Sequence, residues 1–177
     1  MTRNNDTVLE TRGQTIRWAS FYDWLVNLLS FGKEKSLRKQ IVALAQVKPG
    51  EKVLDVGCGT GSLALVAKAQ VGPTGQVYGT DASSEMIEVA QKKAIKAEVD
   101  VTFQVDLIEN ITFPDNQFDV VLSSLMMHHL PDDLKHQGLA EIYRVLKPGG
   151  RLLIVDVESS SSGSAFQRLS DIMIQLH

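Results

Sequence analysis

The chain has 177 residues, of which 44% are hydrophobic and 22% are charged, and its formal net charge at pH 7 is −3. This composition is typical of one soluble globular domain and excludes a mainly disordered chain, a collagen-like fibre and a coiled-coil rod. The slightly acidic balance disfavours nucleic acid as a partner. Cys58 is the single cysteine, which excludes an intramolecular disulfide and a zinc-thiolate cluster.

The distribution of apolar segments bears on where the protein works. No apolar run of the sequence is long enough to span a bilayer. The polar first residues also lack the apolar segment that a secretory signal peptide requires. From these two observations we expect a cytoplasmic protein.

The residues before the first predicted strand fall into two parts. Residues 1–14 are polar and predict a flexible tail. From residue 15 apolar side chains recur at three- and four-residue steps, and a second helix is predicted at 34–46, so residues 15–46 predict a helical cap. The apolar face of the first helix comprises Trp18, Phe21, Tyr22, Leu25, Leu28 and Leu29. Packing on the core is the favoured role of this face, and lying on a lipid surface is the alternative.

Residues 47–177 alternate between predicted strands and helices. The predicted strands are near-continuous apolar runs, at 52–57, 76–81, 101–106, 118–123 and 151–158. Helices are predicted at 61–69, 84–97, 131–146 and 165–176, and a turn at 147–150. This alternation predicts the α/β class, with a Rossmann-like, mostly parallel sheet of five strands flanked by helices. Ligands of such sheets bind outside the carboxyl ends of the strands.

The most informative motif is VLDVGCGTG at residues 53–61, which joins the first strand to its helix. Its glycines, Gly57, Gly59 and Gly61, let the backbone turn tightly and let a ligand approach the main chain. A tight turn without a ligand is the alternative interpretation. A dinucleotide fingerprint requires glycine where Ser62 stands, and a P-loop requires a Gly-Lys-Ser/Thr sequence that does not follow here.

Acidic residues around this loop select its ligand. Asp55 stands just before Gly57, and a carboxylate there repels a pyrophosphate but attracts a ligand that carries an ammonium and a sulfonium group. S-adenosylmethionine is such a ligand. Asp81 ends the second strand, about 20 residues past the last loop glycine, where an acidic residue can bind two ribose hydroxyls. Capping the next helix is the alternative role of Asp81.

The end of the third predicted strand is a candidate adenine site. Asp106 is placed to accept a hydrogen bond from the adenine amino group, and stabilising a turn is its alternative role. Met86 and Leu107 could sandwich the adenine ring, or each could belong to the core.

Four segments together resemble the class I S-adenosylmethionine-dependent methyltransferases. VLDVGCGTG resembles their first motif, and GTDAS at 79–83 resembles their ribose-binding motif. FPDNQFDVVLSS at 113–124 and LKPGGRLLIVD at 146–156 resemble the segments that lead into their fourth and fifth strands. The resemblance spans residues 47–158 and implies S-adenosylmethionine as cofactor, with S-adenosylhomocysteine as product. The cofactor contacts expected with it are Asp55, Gly57, Cys58, Gly59, Asp81, Ala82, Met86, Asp106, Leu107 and Ser123.

One further segment resembles a subgroup of that family. YDWLVNLLSFG at 22–32 resembles the N-terminal segment of the ubiquinone/menaquinone-biosynthesis C-methyltransferases, which implies a cofactor contact for Tyr22; packing is its alternative role. SLMMHHLPDD at 124–133 departs from the arginine-containing segment of the quinone enzymes and is closer to the generic small-molecule methyltransferases. The aromatic first helix favours a small, partly apolar acceptor, whose identity stays open.

Two adjacent histidines are the candidate catalytic residues. Methyl transfer is an in-line displacement on an activated methyl group, so a base is needed only if the acceptor loses a proton. His128 and His129 follow the fourth strand, and an imidazole titrates near neutral pH, so one of them is the candidate base. Structural packing is the alternative role for both histidines, and Cys58 is expected to pack rather than react. Without a further Cys/His cluster, no metal site is expected.

The C-terminal part of the chain is short for the resembled family, whose sheet has two more strands. Residues 159–177 leave room for one helix, so the fifth strand is expected at an apolar sheet edge, which invites pairing. Three explanations stay open: a shortened form, a homodimer through this edge, or cover by the N-terminal segment. The favoured function is an S-adenosylmethionine-dependent methyltransferase. The alternatives are a non-catalytic S-adenosylmethionine-binding module and a nicotinamide dehydrogenase, which Ser62 and Asp55 disfavour.

Overall fold

The computed structural model describes residues 34–156, which form a five-stranded sheet flanked by four helices. In chain order the elements are α1 (Glu34–Leu44), β1 (Lys52–Val56), α2 (Ser62–Val71), β2 (Gln76–Asp81), α3 (Ser84–Lys96), β3 (Thr102–Val105), β4 (Phe118–Ser124), α4 (Asp132–Val145) and β5 (Leu146–Val155). A short 3-10 turn, Met127–His129, precedes α4. Every strand pair is parallel, in the order β3-β2-β1-β4-β5. The predicted α/β class and parallel sheet are confirmed.

The sheet is buried on both faces because successive side chains of each strand point to opposite sides. One apolar layer lies under α1, α2 and α3, and its strand residues include Val53, Val77, Val120, Leu122 and Leu153. The other layer lies under α4, and its strand residues include Leu54, Val56, Val121, Leu152 and Ile154. Burial on both faces explains why the strands read as continuous apolar runs rather than alternating ones.

Two edges of the sheet run across the ends of its strands, and the strand order distinguishes them. We call the edge formed by the last residues of the strands the carboxyl edge, and the edge formed by their first residues the amino edge. The central strand β1 has β2 on one side and β4 on the other, so the chain moves outward to β3 and then crosses back. This reversal of strand order opens a crevice at the carboxyl edge, where ligands of such folds bind.

Strand β5 differs from its predicted extent. It begins at Leu146, so residues 147–150, predicted as a turn, lie inside the strand. The register explains the difference: Phe118 pairs with Leu146, whereas Val120 pairs with Arg151, and the extra residues are accommodated by an irregularity in the pairing. The turn signal in this segment therefore marks a bulge. The strand ends at Val155, before the predicted end at residue 158, which lies outside the described residues.

Most other element ends lie within one or two residues of their predicted positions. Helix α1 ends at Leu44 rather than at the predicted residue 46, because Gln46 has a left-handed φ of 51° that a helix cannot continue. The predicted tail, the first aromatic helix and the last helix lie outside residues 34–156. Along the described part of the sheet β5 is an outer strand, and the homodimer through it stays a prediction. None of the described helices has the length and apolar character needed to cross a membrane.

Candidate active site

The three glycines of the loop after β1 differ in how much space surrounds them. A Cβ on Gly57 would lie 2.4 Å from Met126 Cγ, and one on Gly61 would lie 2.6 Å from the Phe103 ring, so packing excludes side chains at both positions. Gly59 differs, because a Cβ there would meet nothing within 4 Å although its φ is +52°. The loop therefore leaves open space at Gly59, where a ligand can approach the main chain.

Asp81, the last residue of β2, holds this loop in place. Its Oδ2 accepts a hydrogen bond from the backbone N–H of Gly59 at 2.9 Å, and its Oδ1 accepts one from Ser83 N–H at 2.9 Å. Burial raises the pKa of the Asp81 carboxyl, and the two backbone hydrogen bonds partly offset that rise. Each carboxylate oxygen can accept a further hydrogen bond. The cap of α3, considered above as an alternative role for Asp81, is Ser83, whose Oγ accepts from Met86 N–H at 3.3 Å.

Asp55, near the end of β1, is a buried carboxylate with an unmet hydrogen bond. Only 1% of the residue is exposed, and its Oδ2 has no hydrogen-bond partner among residues 34–156. Burial raises the pKa of this carboxyl to about 7; the Arg38 charge lowers it and the Asp81 charge raises it. An ionised carboxylate in such a place is costly unless a cation or donor pairs with it. A cationic ligand would supply both the charge and the hydrogen bond.

Ser123 on β4 is another buried polar side chain whose oxygen has no partner in the described part of the chain. It does not share a face of the sheet with Asp55. Asp55 pairs with Leu122, which belongs to the layer under α1, α2 and α3, whereas Ser123 pairs with Val56, which belongs to the layer under α4. The structure therefore places these two expected cofactor residues at the same edge but on opposite faces.

Asp106 lies directly after β3, and its carboxylate is engaged by its own loop. Oδ1 accepts from Leu107 N–H at 3.1 Å, and Oδ2 accepts from Thr112 N–H at 3.0 Å and from Thr112 Oγ1 at 2.9 Å. Gln104 Nε2 adds a longer contact to Oδ2 at 3.3 Å. These bonds fit the turn-stabilising role, and they leave Oδ1 as the less occupied oxygen for an adenine amino group.

Four more of the expected cofactor residues lie within residues 34–156. Ala82 follows Asp81 and is half-buried, Met86 is buried in the first turn of α3, and Leu107 is half-buried after Asp106. Cys58 packs on the core, and burial raises the pKa of its thiol well above its usual range, so the neutral form dominates. Tyr22 lies outside the described residues.

The segment after β4 brings the histidines to the carboxyl edge. Leu125 has a left-handed φ of 55°, uncommon for a bulky residue, and its N–H donates to the Val155 carbonyl at 2.8 Å. Such strain persists only where the surrounding structure holds it, and it clusters at functional sites. Just beyond it the Met126 side chain packs against Gly57, so the Met127–His129 turn starts beside the glycine loop.

His128 is paired with Asp156, the residue after β5. The His128 Nδ1 lies 2.5 Å from Asp156 Oδ1, and the His128 backbone N–H donates to Asp156 Oδ2 at 2.9 Å. The His129 ring lies 3.8 Å from the His128 ring, measured between centroids. Burial lowers the pKa of His129, and a charge on His128 lowers it further. Both predicted histidines reach the edge, and in the described part of the chain it is His128 that hydrogen-bonds a carboxylate.

Two residues of this region were missed by sequence reasoning. Asp156 follows β5, and because β5 neighbours β4, the meeting of carboxyl ends could have placed it beside the residues after β4. Lys93 on α3 donates to Thr60 Oγ1 at 2.8 Å and to Ser62 Oγ at 3.0 Å, which ties α3 to the glycine loop. No spacing in the sequence indicated the contacts of Lys93.

The chemistry of the carboxyl edge fits S-adenosylmethionine. Asp55 has an unpartnered carboxylate oxygen, Asp81 binds the Gly59 N–H, and Gly59 leaves open space beside the main chain. The cationic groups and ribose hydroxyls of that cofactor are the complement that such oxygens require. The same two carboxylates would repel a pyrophosphate.

Comparisons with known proteins agree with this chemistry. The family model described as "Methyltransferase domain" matches residues 53–150. A demethylmenaquinone methyltransferase of Symbiobacterium thermophilum is 38% identical over 152 residues, which cover 85% of this chain and 59% of that protein. The ubiquinone/menaquinone biosynthesis C-methyltransferase UbiE of Cupriavidus pinatubonensis is 38% identical over 138 residues, covering 78% of this chain and 56% of its own. This chain thus spans little more than half the length of these relatives.

A solved structure extends the comparison to the fold. The SAM-dependent methyltransferase from Aquifex aeolicus is 30% identical and superposes with a TM-score of 0.64. The superposition covers 72% of this chain and 68% of that one.

Proposed function

The chain belongs to the family of S-adenosylmethionine-dependent methyltransferase domains, and from this premise we propose that it methylates a small, partly apolar acceptor. One observation carries the proposal: the buried Asp55 carboxylate has an unpartnered oxygen at the edge where Gly59 leaves open space. The bound cofactor supplies the activated methyl group. The protein then has to hold the two reactants in line and exclude water.

We assign the methionine end of the cofactor to the glycine loop and the residues around it. Asp55 provides the anionic oxygen for the ammonium and sulfonium charges, and Gly59 provides the open main chain. Ser123 joins them from the other face of the sheet with a further buried oxygen that has no partner among the described residues. Gly57, Cys58 and Tyr22 complete this part of the proposed site.

We assign the nucleoside end to the strands on the other side of β1. Asp81, with Ala82 beside it, accepts from the ribose hydroxyls, because each of its oxygens has one backbone donor and room for another. Asp106 accepts from the adenine amino group through Oδ1. Met86 and Leu107 lie near the start of α3 and after β3, where their apolar side chains can line the adenine pocket.

The proposed acceptor is a quinol, the reduced form of a quinone ring. Two relatives carry names that state quinone methylation, one of demethylmenaquinone and one in ubiquinone/menaquinone biosynthesis. A sulfonium methyl group is an electrophile, so it requires the electron-rich reduced ring rather than the electron-poor quinone. Met126, packed against Gly57, offers the soft apolar surface that such a ring would contact. We keep a cytoplasmic location as part of this proposal.

Calorimetric titration with S-adenosylmethionine and S-adenosylhomocysteine tests the cofactor assignment. We expect saturable binding of both by the 177-residue chain. Asp81→Ala should weaken it about thirtyfold or more, because charge-assisted hydrogen bonds to the ribose are lost. Asp119→Ala is the matched control, since Asp119 pairs with Lys147 at the amino edge, and it should leave the affinity unchanged. A folded wild-type chain that binds neither compound would contradict the assignment.

Turnover separates the methyltransferase from a module that only binds the cofactor. The chain is incubated without oxygen with S-adenosylmethionine and a short-chain demethylmenaquinol, and formation of S-adenosylhomocysteine and methylated ring is measured. Both products in equal amounts support the proposed reaction. Cofactor binding without methylation of this quinol would overturn the acceptor assignment, and absence of transfer to a panel of phenols as well would favour the binding module.

A further inference from the structure

The pairing of His128 with Asp156 joins two segments that the chain keeps far apart. Asp156 holds His128 at two points, through Oδ1 to the ring Nδ1 at 2.5 Å and through Oδ2 to the backbone N–H at 2.9 Å. Both segments directly follow neighbouring parallel strands, β4 and β5, so the sheet itself brings them together. Two contacts from one carboxylate fix both the position and the rotation of the histidine ring.

The contact also determines which ring nitrogen carries the proton. A carboxylate can only accept, so a neutral His128 donates its proton from Nδ1 to Asp156 and leaves a lone pair on Nε2. Among the described residues Nε2 has no hydrogen-bond partner. The Asp156 side chain is 16% exposed, so its charge is only partly screened where it faces the ring.

The titratable groups around His128 give the two histidines different roles. Asp156 faces it from the end of β5, and His129 faces it from the same turn. Burial and the neighbouring His128 charge lower the pKa of His129, which favours its neutral form. His128 is the member of the pair whose ring contacts a carboxylate, and His129 packs against it.

We propose that Asp156 is a positioning residue that holds His128 in the tautomer with a bare Nε2, and that this Nε2 removes a proton from a hydroxyl-bearing acceptor during methylation. The inference rests on the proposed function. The nucleophilic atom of the acceptor forms its bond to the methyl carbon as the sulfur–methyl bond breaks, with the electron pair passing to sulfur. The hydroxyl proton of the acceptor goes to His128 Nε2, and the Asp156 carboxylate stabilises the resulting imidazolium. Where the nucleophilic atom is a ring carbon, its C–H proton then moves to the ring oxygen and restores the quinol, so one proton is released in total. The acceptor class is thus a phenol or quinol rather than a neutral tertiary amine.

The tautomer of His128 can be read without any turnover, from the nitrogen chemical shifts of the imidazole in the labelled full chain. In the wild type we expect Nδ1 to be protonated and Nε2 bare in the neutral ring. Asp156→Ala should change the tautomer ratio at least about tenfold toward Nε2–H. Asp156→Asn should shift it in the same direction, because its single amide oxygen accepts from the His128 backbone N–H and its NH2 group then faces Nδ1. Asp132→Asn is the matched control because Asp132 pairs with Lys135 on α4, and it should change nothing.

Kinetics with the demethylmenaquinol then test whether the base and its tautomer matter for turnover. His128→Gln should lower kcat at least about 100-fold because the base is lost, and Asp156→Asn should lower it by a similar factor because Nε2 then carries the proton. Neither variant should change the affinity for S-adenosylmethionine by more than about twofold. A protonated Nε2 in the wild type, or an unchanged tautomer in Asp156→Ala, would overturn the inference while leaving the proposed function intact. Failure of the wild type to bind S-adenosylmethionine would instead overturn the proposed function.

Discussion

Acidic residues at the carboxyl and amino edges of the same sheet lie in contrasting environments, which shift their pKa values in opposite directions. At the amino edge, Asp119 accepts from Lys52 N–H at 2.8 Å and from Lys147 Nζ at 2.6 Å. Although burial alone would raise it, these partners lower the pKa of Asp119 below its usual value. At the carboxyl edge, Asp55 is buried with one oxygen unpartnered, and its pKa is raised to about 7.

This difference supports the proposal that the carboxyl edge binds a ligand, whereas the acidic residues of the amino edge find their partners within residues 34–156. Arg151 reinforces the amino edge, where its guanidinium bonds both oxygens of Glu51 and the Ala45 carbonyl. The carboxyl edge instead combines unmet hydrogen bonds with open space at Gly59. Unpaired polar groups of this kind reduce stability and are retained where they serve binding or catalysis.

The largest expected effect is on how stability depends on pH. Because the pKa of Asp55 rises on folding, its contribution to the free energy of unfolding is full below about pH 4 and is lost as the pH rises through about 7. The loss amounts to at most about 4 kcal/mol. Asp55→Asn should remove this decline in denaturant titrations of the ligand-free chain. Asp119→Asn should instead lower the free energy of unfolding at neutral pH. The pKa of Asp119 is lowered on folding, so the wild type loses this contribution only as the pH falls below the usual pKa range of a carboxyl. Identical pH profiles for the wild type and Asp55→Asn would refute the contrast.

The second effect concerns space at the glycine loop. Gly59→Ala should raise the dissociation constant for S-adenosylmethionine about thirtyfold, because its Cβ occupies the open surface where we propose that the cofactor approaches. Gly72→Ala is the matched control, since Gly72 has a φ of 71°, equally open surroundings and a position at the far end of α2. Both variants should lose stability from backbone strain, about 1–2 kcal/mol at Gly59 and more at Gly72, whose ψ of −165° lies outside the left-handed helical region. Equal affinities for the two variants in calorimetry would show that Gly59 does not face the cofactor.

A third, smaller effect is on cofactor affinity. A cationic ligand prefers the ionised Asp55, so binding should strengthen about eightfold between pH 6.0 and 7.5 as that carboxyl loses its proton. Asp55→Asn should bind weakly and with little dependence on pH over the same range. If the wild-type affinity were constant or fell with pH, Asp55 would not be the group that meets the positive charge.

The smallest expected effect is at the amino edge. Lys147→Met removes the ion pair with Asp119 and retains the aliphatic part of the side chain. Since the pair is partly exposed, the expected loss in the free energy of unfolding is at most about 1 kcal/mol. The affinity for S-adenosylmethionine should not change. A weakened affinity would mean that the two edges are coupled rather than separate in function.

Much of this molecule follows from local features of the chain. The five parallel strands are recognisable because strands buried on both faces must be apolar throughout, and the glycine loop is recognisable because only glycines permit its turns. Asp55 and Asp81 could be proposed as site residues because each sits at the end of a predicted strand, and such ends meet at one edge. These inferences need only the neighbours of each residue along the chain.

The tertiary structure decided the rest, because it depends on which strands become neighbours. The placement of β5 beside β4 brings Asp156 to His128, and the turn after β4 brings Met126 to Gly57. Strand register puts Ser123 on the face opposite Asp55. No periodicity or spacing encodes these placements, since each depends on segments that are distant in the sequence and become neighbours only when the sheet assembles. The sequence alone therefore determined the class of fold and the glycine loop, and long-range packing determined which histidine gained a carboxylate partner.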